Sequence, residues 1–344
     1  MAVLAAEGLS DVNRQHISDQ AYGPRYLEMT RLTASCALLL AALCWGAGNV
    51  ANKTVLQHLD PLTVMSLRCL LAAIVICPFA LPDLRPDLRR DMAQAADRDW
   101  IKSAVLLSLP FAAALLLQQW AYGLTSVTNA GFLVNTATVM TPVLAWLAFG
   151  QRVGAAVTLA APLTLIGALL MAGGHQSLTR INGGDALCLG SAVGYAVWMV
   201  GLGRHAVRHG RPLGTTFVQF AVSASLVLPV ALWTKVPALA ALGQAAPDLI
   251  MLGVISTALA FGLMTWAQRY VAAPTAAIIV SAEGVFGALG ARFLLGEQAS
   301  VLGLCGAALI LSAIAMVAFE SQPAPEPDPT ALKTGARTDL PERQ

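Results

Sequence analysis

The feature that most constrains this chain is a series of apolar stretches that fills it from Arg31 to Glu320. A membrane-spanning helix needs roughly 20 apolar residues, and about ten stretches of that length are present, separated by turn-forming or charged residues. The apolar runs are continuous and lack the alternation of outer-membrane barrel strands. The sequence therefore predicts an all-α membrane protein with ten transmembrane helices.

The composition favours the same class. Hydrophobic residues make up 57% of the chain and charged residues 12%, which leaves too little polar surface to cover a soluble domain. The net charge of +2 is spread over short loops, so we expect no nucleic-acid partner. The six cysteines lie inside apolar stretches without the spacing of metal ligands, and we expect neither a metal nor a cofactor.

The basic residues are distributed unevenly between the two sides of the predicted bundle. With the amino terminus inside the cell, sixteen Lys and Arg residues fall in cytoplasmic segments, and only Lys53, Arg180 and Lys235 fall in outer loops. Positive charge near span ends is retained on the cytoplasmic side. The asymmetry therefore predicts a multi-pass protein of the cell inner membrane, surrounded by the lipid bilayer, with both termini cytoplasmic.

The chain divides into two five-span segments between two tails. Residues 1–30 are predicted to be a cytoplasmic tail, because they lack the apolar core of a cleavable signal peptide. Five spans follow in residues 31–174 and five more in residues 183–320, and residues 321–344 form a charged, Pro-rich tail that we expect to be disordered. Met29, just before the first span, is an alternative to Met1 as the start of translation.

The two five-span segments share a register. One offset aligns the third to fifth spans with the eighth to tenth, and it pairs Trp120 with Trp266 and Ala130 with Ala276. The second and seventh spans align from their opening prolines, which places Arg68 opposite Gln219. An odd number of spans in each repeat inserts the second repeat upside down. Two inverted five-helix repeats are typical of transporters that present one central site to the two sides in turn.

Short motifs in both repeats carry a family resemblance. In the first repeat they are Trp45-Gly46, Asn129-Ala130-Gly131-Phe132-Leu133, Thr141-Pro142-Val143 and Gly150-Gln151-Arg152. In the second they are Thr265-Trp266-Ala267-Gln268-Arg269, Ser281-Ala282-Glu283-Gly284-Val285-Phe286 and Leu295-Gly296-Glu297. With these motifs, residues 31–320 resemble EamA-like members of the drug/metabolite transporter (DMT) superfamily. The resemblance implies ten spans, an inverted-repeat fold, and export or exchange of small metabolites, amino acids or drugs.

Two ionisable residues inside spans invite a functional interpretation. An ionisable side chain costs roughly 2.5 to 3.5 kcal/mol at the centre of a span, and Glu283 is the one acidic residue well inside a predicted span. Glu283 either carries a proton or binds a substrate amine, or it forms an ion pair or a helix-packing hydrogen bond. Arg68 either binds a substrate carboxylate or clamps backbone carbonyls near the interface.

Trp45 and Asn49 are one helical turn apart in the first span and share a face, which is our best candidate for a cavity wall. The cavity is predicted to lie mainly between spans one, three, four, six, eight and nine. Helix packing, interface anchoring and interhelical hydrogen bonds are the alternative uses of such side chains. The further candidate substrate-binding residues are Gln118, Asn135, Tyr195, Trp198 and Trp266.

The sequence favours a secondary transporter that exports a small-molecule substrate, such as an amino acid, by alternating access, with protons as candidate coupling ions. The alternatives are an uncoupled facilitator or exchanger, a membrane sensor without flux, and an intramembrane enzyme. The enzyme is disfavoured, because the five histidines fall in tails or loops and no catalytic arrangement of side chains is apparent. The oligomeric state stays open.

Overall fold

The computed structural model describes residues 24–84, 91–125, 127–151, 153–173, 182–295 and 300–319, and all regular elements in these ranges are helical. The first helix begins at Pro24, so the end of the predicted amino-terminal tail is already part of it. Arg152, Arg180, Gly296, Glu297 and the predicted carboxy-terminal tail lie outside the described residues.

The first repeat consists of six helices that form five spans. Its helices are α1 (Pro24–Val55), α2 (Pro61–Leu84), α3 (Asp91–Leu124), α4 (Val127–Val134), α5 (Ala137–Phe149) and α6 (Ala155–Met171). Helices α4 and α5 make one span that is interrupted at Asn135 and Thr136. Helix α6 has 17 residues, which is close to the shortest length that crosses a bilayer.

The second repeat has the same plan. Its helices are α7 (Gly183–His209), α8 (Pro212–Thr234), α9 (Leu239–Ile250), α10 (Ala260–Ala267), α11 (Ala273–Val280), α12 (Ala282–Leu295) and α13 (Val301–Phe319), and the π-helical segment Met251–Leu259 joins α9 to α10. Within the described ranges, nine helical segments are long and apolar enough to cross a membrane, and α6 is a shorter apolar tenth. The predicted all-α membrane fold with two five-span repeats is confirmed.

Local sequence signals explain where several helices begin and end. Helix α7 starts with a capping box, in which Asn182 and Asp185 each accept a hydrogen bond from the backbone N–H of the other. It ends at Gly210, whose φ of 61° lies in the left-handed region that glycine adopts without strain. Helix α5 ends in the same way at Gly150, with φ 65°.

Helices of each repeat pack against helices of the other repeat. Helix α1 packs on α10 and α12 of the second repeat, and α7 packs on α3 and α5 of the first. Two of the most extensive contacts join equivalent helices, α2 with α8 and α6 with α13. Where α6 meets α13, Gly167 and Gly306 bring the two backbones into direct contact, and an added Cβ at either glycine would collide with the other helix. Each repeat therefore buries its central helices against the other.

Both repeats interrupt one helix at the same position. The break between α4 and α5 begins at Asn135, and the break between α11 and α12 falls at Ser281, which is the residue that the repeat register aligns with Asn135. The two breaks lie close together, since Thr138 donates to the carbonyl oxygen of Ala277 at 3.4 Å. Irregular backbone at membrane depth is tolerated where it lines a cavity. The breaks therefore mark the region in which to look for a site.

Candidate functional site

A cavity lies at the centre of the bundle, beside the two helix breaks. The cavity has a volume of about 80 Å³. Side chains of α1, α2, α3, α7 and α10 line it together with the residues around both breaks. The lining residues are Trp45, Asn49, Asn52, Arg68, Leu115, Gln118, Val134, Asn135, Ala137, Thr138, Tyr195, Trp198, Met199, Ser256, Phe261, Met264, Ala277, Val280 and Glu283.

Most of the residues singled out from the sequence meet in this cavity. The structure brings together Trp45, Asn49, Arg68, Gln118, Asn135, Tyr195, Trp198 and Glu283. Trp266 does not line the cavity and packs on Tyr270, with ring centroids 5.3 Å apart. The sequence reasoning missed Asn52, Ser256 and Phe261. Asn52 had a detectable signal, because it follows Asn49 by three residues and so extends the same face of α1.

Aromatic side chains form one wall of the cavity. The rings of Trp45 and Phe261 have centroids 4.8 Å apart, and those of Trp198 and Phe261 are 5.6 Å apart. Tyr195 stands edge-on to Trp198 at 6.2 Å. These rings come from α1, α7 and α10, so the wall joins both repeats. A cluster of ring faces and edges suits the apolar part of a ligand or an ammonium group.

Arg68 is buried and bonds to three other segments through neutral oxygens. Its Nε donates to Oγ1 of Thr257 at 3.0 Å, and its Nη1 donates to Oδ1 of Asn52 at 3.2 Å and to Oε1 of Gln119 at 3.3 Å. The predicted clamp on backbone carbonyls is not seen, because all three partners of Arg68 are side chains. Its other terminal nitrogen, Nη2, has no hydrogen-bond partner among the described residues. Arg68 therefore keeps donors available to a ligand.

Glu283 begins the first turn of α12, directly after the break at Ser281, and its half-buried side chain lines the cavity. Within the described part of the chain, its carboxylate forms neither a hydrogen bond nor an ion pair. Helix α1 lies next to it at Gly46, because an added Cβ at Gly46 would be 2.8 Å from the carbonyl oxygen of Glu283. The alternative structural roles considered for Glu283 thus have no support among the described contacts.

A chain of hydrogen bonds orders the polar side chains of the cavity. Tyr195 Oη donates to Oε1 of Gln118 at 2.7 Å, and Tyr122 Oη donates to Oδ1 of Asn49 at 2.8 Å. Gln118 Nε2 reaches Tyr122 Oη at 3.5 Å and connects the two pairs. Lys53 fixes the end of α3 by donating to the carbonyl oxygens of Tyr122 and Thr125, at 3.0 and 3.3 Å. The side-chain orientations of Asn49 and Gln118 are therefore set before a ligand arrives.

One buried donor of the aromatic wall has no partner. The indole Nε1 of Trp45 makes no hydrogen bond within the described residues, although it is shielded from solvent. The indole of Trp198, by contrast, donates to Oε1 of Gln219 at 3.3 Å. A buried N–H without an acceptor costs about 1 to 3 kcal/mol, so an acceptor on a ligand or a water molecule would stabilise the site at Trp45.

The described residues contain no group of three or more His, Cys, Asp or Glu side chains that could hold a metal ion. What the cavity offers is one carboxylate, one guanidinium, several oriented amides and hydroxyls, and an aromatic wall. Two repeats of membrane-spanning helices that enclose one such cavity define a membrane transporter.

Comparison with known proteins gives the family. The model of the EamA-like transporter family matches residues 32–173 and 182–319, and the chain belongs to this family. It is similar to an uncharacterized transporter of Archaeoglobus fulgidus, with 30% identity over 281 residues that cover 81% of this chain and 93% of the relative. A second uncharacterized transporter of Archaeoglobus fulgidus is 25% identical over 290 residues, or 84% of this chain and 87% of the relative.

A solved structure shares the fold. A crystal structure of a protein superposes with a TM-score of 0.67 and 16% sequence identity, and the match covers 83% of this chain and 96% of the other. The protein is thus a multi-pass membrane transporter of the EamA-like family, and a small molecule is its substrate class.

Proposed function

We propose that this protein is a secondary transporter of the cell inner membrane that exports an amino acid by alternating access, in exchange for protons. The observation that carries the proposal is the pair of opposite charges, Arg68 and Glu283, which line one cavity without pairing with each other. A ligand that bears an ammonium and a carboxylate would stabilise both charges. A neutral or singly charged ligand would leave one of them without a counter-charge.

Both charged residues lie next to α1. The backbone of Glu283 approaches α1 at Gly46, and Arg68 bonds to Asn52, which lies six residues or about 9 Å further along the helix axis. A small ligand bound between these two levels of α1 would contact both charged groups.

The aromatic wall supplies the rest of the site. Trp45, Tyr195 and Trp198 would contact the apolar side chain of the substrate, and the free indole N–H of Trp45 would donate to an acceptor on the ligand or to a water molecule. The small cavity volume favours a single amino acid over a larger drug. Asn49 and Gln118, held by the two tyrosines, would add fixed polar contacts.

Transport would follow from rocking of the two repeats about the cavity. Glu283 would bind either a proton or the substrate ammonium, but not both together, because a single carboxylate can neutralise only one positive charge. In the orientation open to the outside, a proton would displace the substrate ammonium from Glu283. In the orientation open to the cytoplasm, a new substrate would displace that proton. The distribution of basic residues supports cytoplasmic termini. Exchange for protons that enter down an inward gradient would drive the substrate out of the cell.

The test is efflux from proteoliposomes loaded with a mixture of the common amino acids, with and without an imposed pH gradient, measured by mass spectrometry. We expect selective loss of one or a few amino acids, accelerated by the gradient. Glu283→Gln should abolish the acceleration, and full gradient-driven efflux by this variant would refute proton exchange. Selective efflux that ignores the gradient would identify a facilitator instead.

A matched pair of tryptophan variants separates cavity effects from general damage. Trp45→Ala removes a cavity side chain, whereas Trp266→Ala removes the same side chain type from a position outside the cavity. We expect the first variant to lose efflux and the second to keep most of it. Equal losses in correctly folded preparations would count against this cavity as the substrate site.

A further inference from the structure

A second polar cluster lies away from the cavity, at the end of the bundle where α2 ends and α8 begins. It consists of Trp100, Ser103, His205 and Thr215, and we call it the His205 cluster. His205 Nδ1 is 2.9 Å from Oγ of Ser103, and His205 Nε2 is 2.9 Å from Oγ1 of Thr215. Trp100 Nε1 donates to the same Thr215 oxygen at 3.0 Å. The cluster connects α3 of the first repeat with α7 and α8 of the second.

Proton counting fixes the directions of the bonds at Thr215. The one hydroxyl hydrogen of Thr215 goes to the carbonyl oxygen of Arg211, at 2.8 Å. The Thr215 oxygen must therefore accept from both Trp100 and His205, so His205 carries a hydrogen on Nε2. In the neutral imidazole with this tautomer, Nδ1 accepts from the hydroxyl of Ser103, and both ring nitrogens are satisfied.

Helix α2 joins the same end through the start of α8. The carboxylate of Asp83 accepts from the backbone N–H of Gly214 at 2.9 Å and so satisfies one of the free donors in the first turn of α8. Gly214 permits this approach, because an added Cβ would lie 2.8 Å from Cβ of Asp83 and 3.0 Å from the ring of Trp100. At the surface, Asp99 and Arg208 add an exposed ion pair between α3 and α7 at 3.0 Å.

An aromatic layer separates the His205 cluster from the cavity. Phe111 lies 5.3 Å from Trp198, 4.9 Å from Phe261 and 5.9 Å from Phe220, measured between ring centroids. Trp198 and Phe261 line the cavity, whereas Phe111 and Phe220 do not, and all four side chains are buried. The layer is therefore the floor of the cavity on the side of the His205 cluster, which begins about 10 Å further along α7.

The repeat symmetry of the fold does not account for the cluster. The register between the repeats places Ala246 opposite Trp100, Leu249 opposite Ser103 and Val64 opposite Thr215. At the other end of the bundle these positions are apolar, and Val64 belongs to a small cluster of buried hydrophobic side chains. The hydrogen bonds are thus specific to one end, although the helices around them have equivalents at both.

We propose that the aromatic layer and the His205 cluster form the gate that closes this end of the substrate pathway. Three bonds join a side chain of the first repeat to a group of the second: Trp100 to Thr215, Ser103 to His205, and Asp83 to the backbone N–H of Gly214. The His205–Thr215 bond lies within the second repeat and holds the two partners in place. Rocking of the repeats must break the three bonds between them before the cavity opens to this side. The gate rests on the proposed transport function, and it makes these hydrogen bonds the device that holds the closed conformation.

The gate is tested by the accessibility of one cysteine between its two layers. Leu107 is half-buried on α3, one turn from Phe111 and in contact with α7 at Gly201. Leu107→Cys is placed in a background in which the six native cysteines are replaced by serine. A membrane-impermeant maleimide is then applied from each side of oriented vesicles. We expect slow labelling, and only from the side that carries the α2–α3 and α7–α8 loops.

Two neighbouring threonines supply a matched comparison. Thr215→Val removes the oxygen that accepts from Trp100 and His205, whereas Thr216→Val removes a buried hydroxyl that bonds only to the Pro212 carbonyl of its own helix. Since interhelical hydrogen bonds in membranes average about 0.6 kcal/mol, each lost bond should raise the labelling rate about threefold. Thr215→Val should therefore label about threefold faster and Thr216→Val at the original rate. Trp100→Phe loses the same bond between the repeats, so it should label about as fast as Thr215→Val.

The labelling experiment tests the gate even before the substrate is known, because labelling requires no substrate. Unchanged rates in both Thr215→Val and Trp100→Phe, in variants that elute as a single monodisperse species, would overturn the gate. Equal acceleration by Thr216→Val would also overturn it, since the effect would then be general loosening of α8. Failure to find amino-acid efflux together with the expected labelling pattern would leave the gate intact and reject the substrate class alone.

Discussion

The contact between α1 and α12 at Gly46 allows one substitution to be predicted in detail. An added Cβ at Gly46 would lie 2.8 Å from the Glu283 carbonyl oxygen, the Gly287 amide nitrogen and Cβ of Phe286. Ordinary van der Waals contact starts at 3.4 Å, so α1 would have to move by at least 0.6 Å against three atoms at once. Two of these are backbone atoms, which cannot rotate away. Gly46→Ala should therefore force the two helices apart.

A substitution at a second glycine separates the cost of the close contact from the effect of helix propensity. Overpacking of this kind costs about 1 to 3 kcal/mol, whereas Gly→Ala inside a helix gains about 1 kcal/mol from propensity. Gly290 lies in α12 with nothing within 4 Å of an added Cβ, so Gly290→Ala receives the gain alone. The difference in unfolding free energy between the two variants should therefore be about 1 to 3 kcal/mol, with Gly46→Ala the less stable.

The measurement is thermal unfolding of the two purified variants and the original protein in one detergent. We expect the order Gly290→Ala, original protein, Gly46→Ala from most to least stable. If Gly46→Ala were as stable as Gly290→Ala, the close approach of α1 to Glu283 would be wrong, and so would the placement of the cavity wall that depends on it.

Three further perturbations follow from the described hydrogen bonds. Asn182→Ala breaks the capping box with Asp185 and should cost about 1 kcal/mol, detected as faster hydrogen–deuterium exchange in the first turn of α7. Arg68→Lys keeps the charge but replaces the planar fork by a point donor, so at least one of three bonds is lost and the melting temperature should fall. Trp45→Phe should lower amino-acid efflux with little effect on melting temperature, whereas Trp198→Phe should lower both, because only Trp198 has a protein acceptor.

The sequence predicts the fold and most of the cavity because a membrane leaves few alternatives. Spans follow from apolar length, the repeats from one constant register, and Arg68 and Glu283 from the rarity of charge inside spans. The helical spacing of Trp45 and Asn49 places both on the face that lines the cavity. These features depend on the local sequence pattern and on the bilayer around it. Both can be inferred from the sequence alone.

Other features depend on tertiary contacts and leave weaker signals. Trp266 occupies the same repeat position as Trp120, but its ring packs on Tyr270 outside the cavity. The breaks at Asn135 and Ser281 contain neither proline nor glycine, so composition does not mark them, although the register aligns them. The π-helical segment Met251–Leu259 likewise follows no composition rule. Packing between the two repeats decides which polar side chains face the cavity. This packing cannot be read from a single sequence.

The bonds of Arg68 impose an order on the assembly of the protein in the membrane. Asn52 and Gln119 are 16 and 51 residues away in the chain, but Thr257 is 189 residues away and belongs to the other repeat. At a synthesis rate of about 5 to 20 residues per second, the guanidinium waits about 10 to 40 s for its last partner. During that interval the nascent first repeat holds a buried cation with an incomplete set of acceptors. The cavity is thus completed only after the second repeat has been synthesised as far as its own cavity residues.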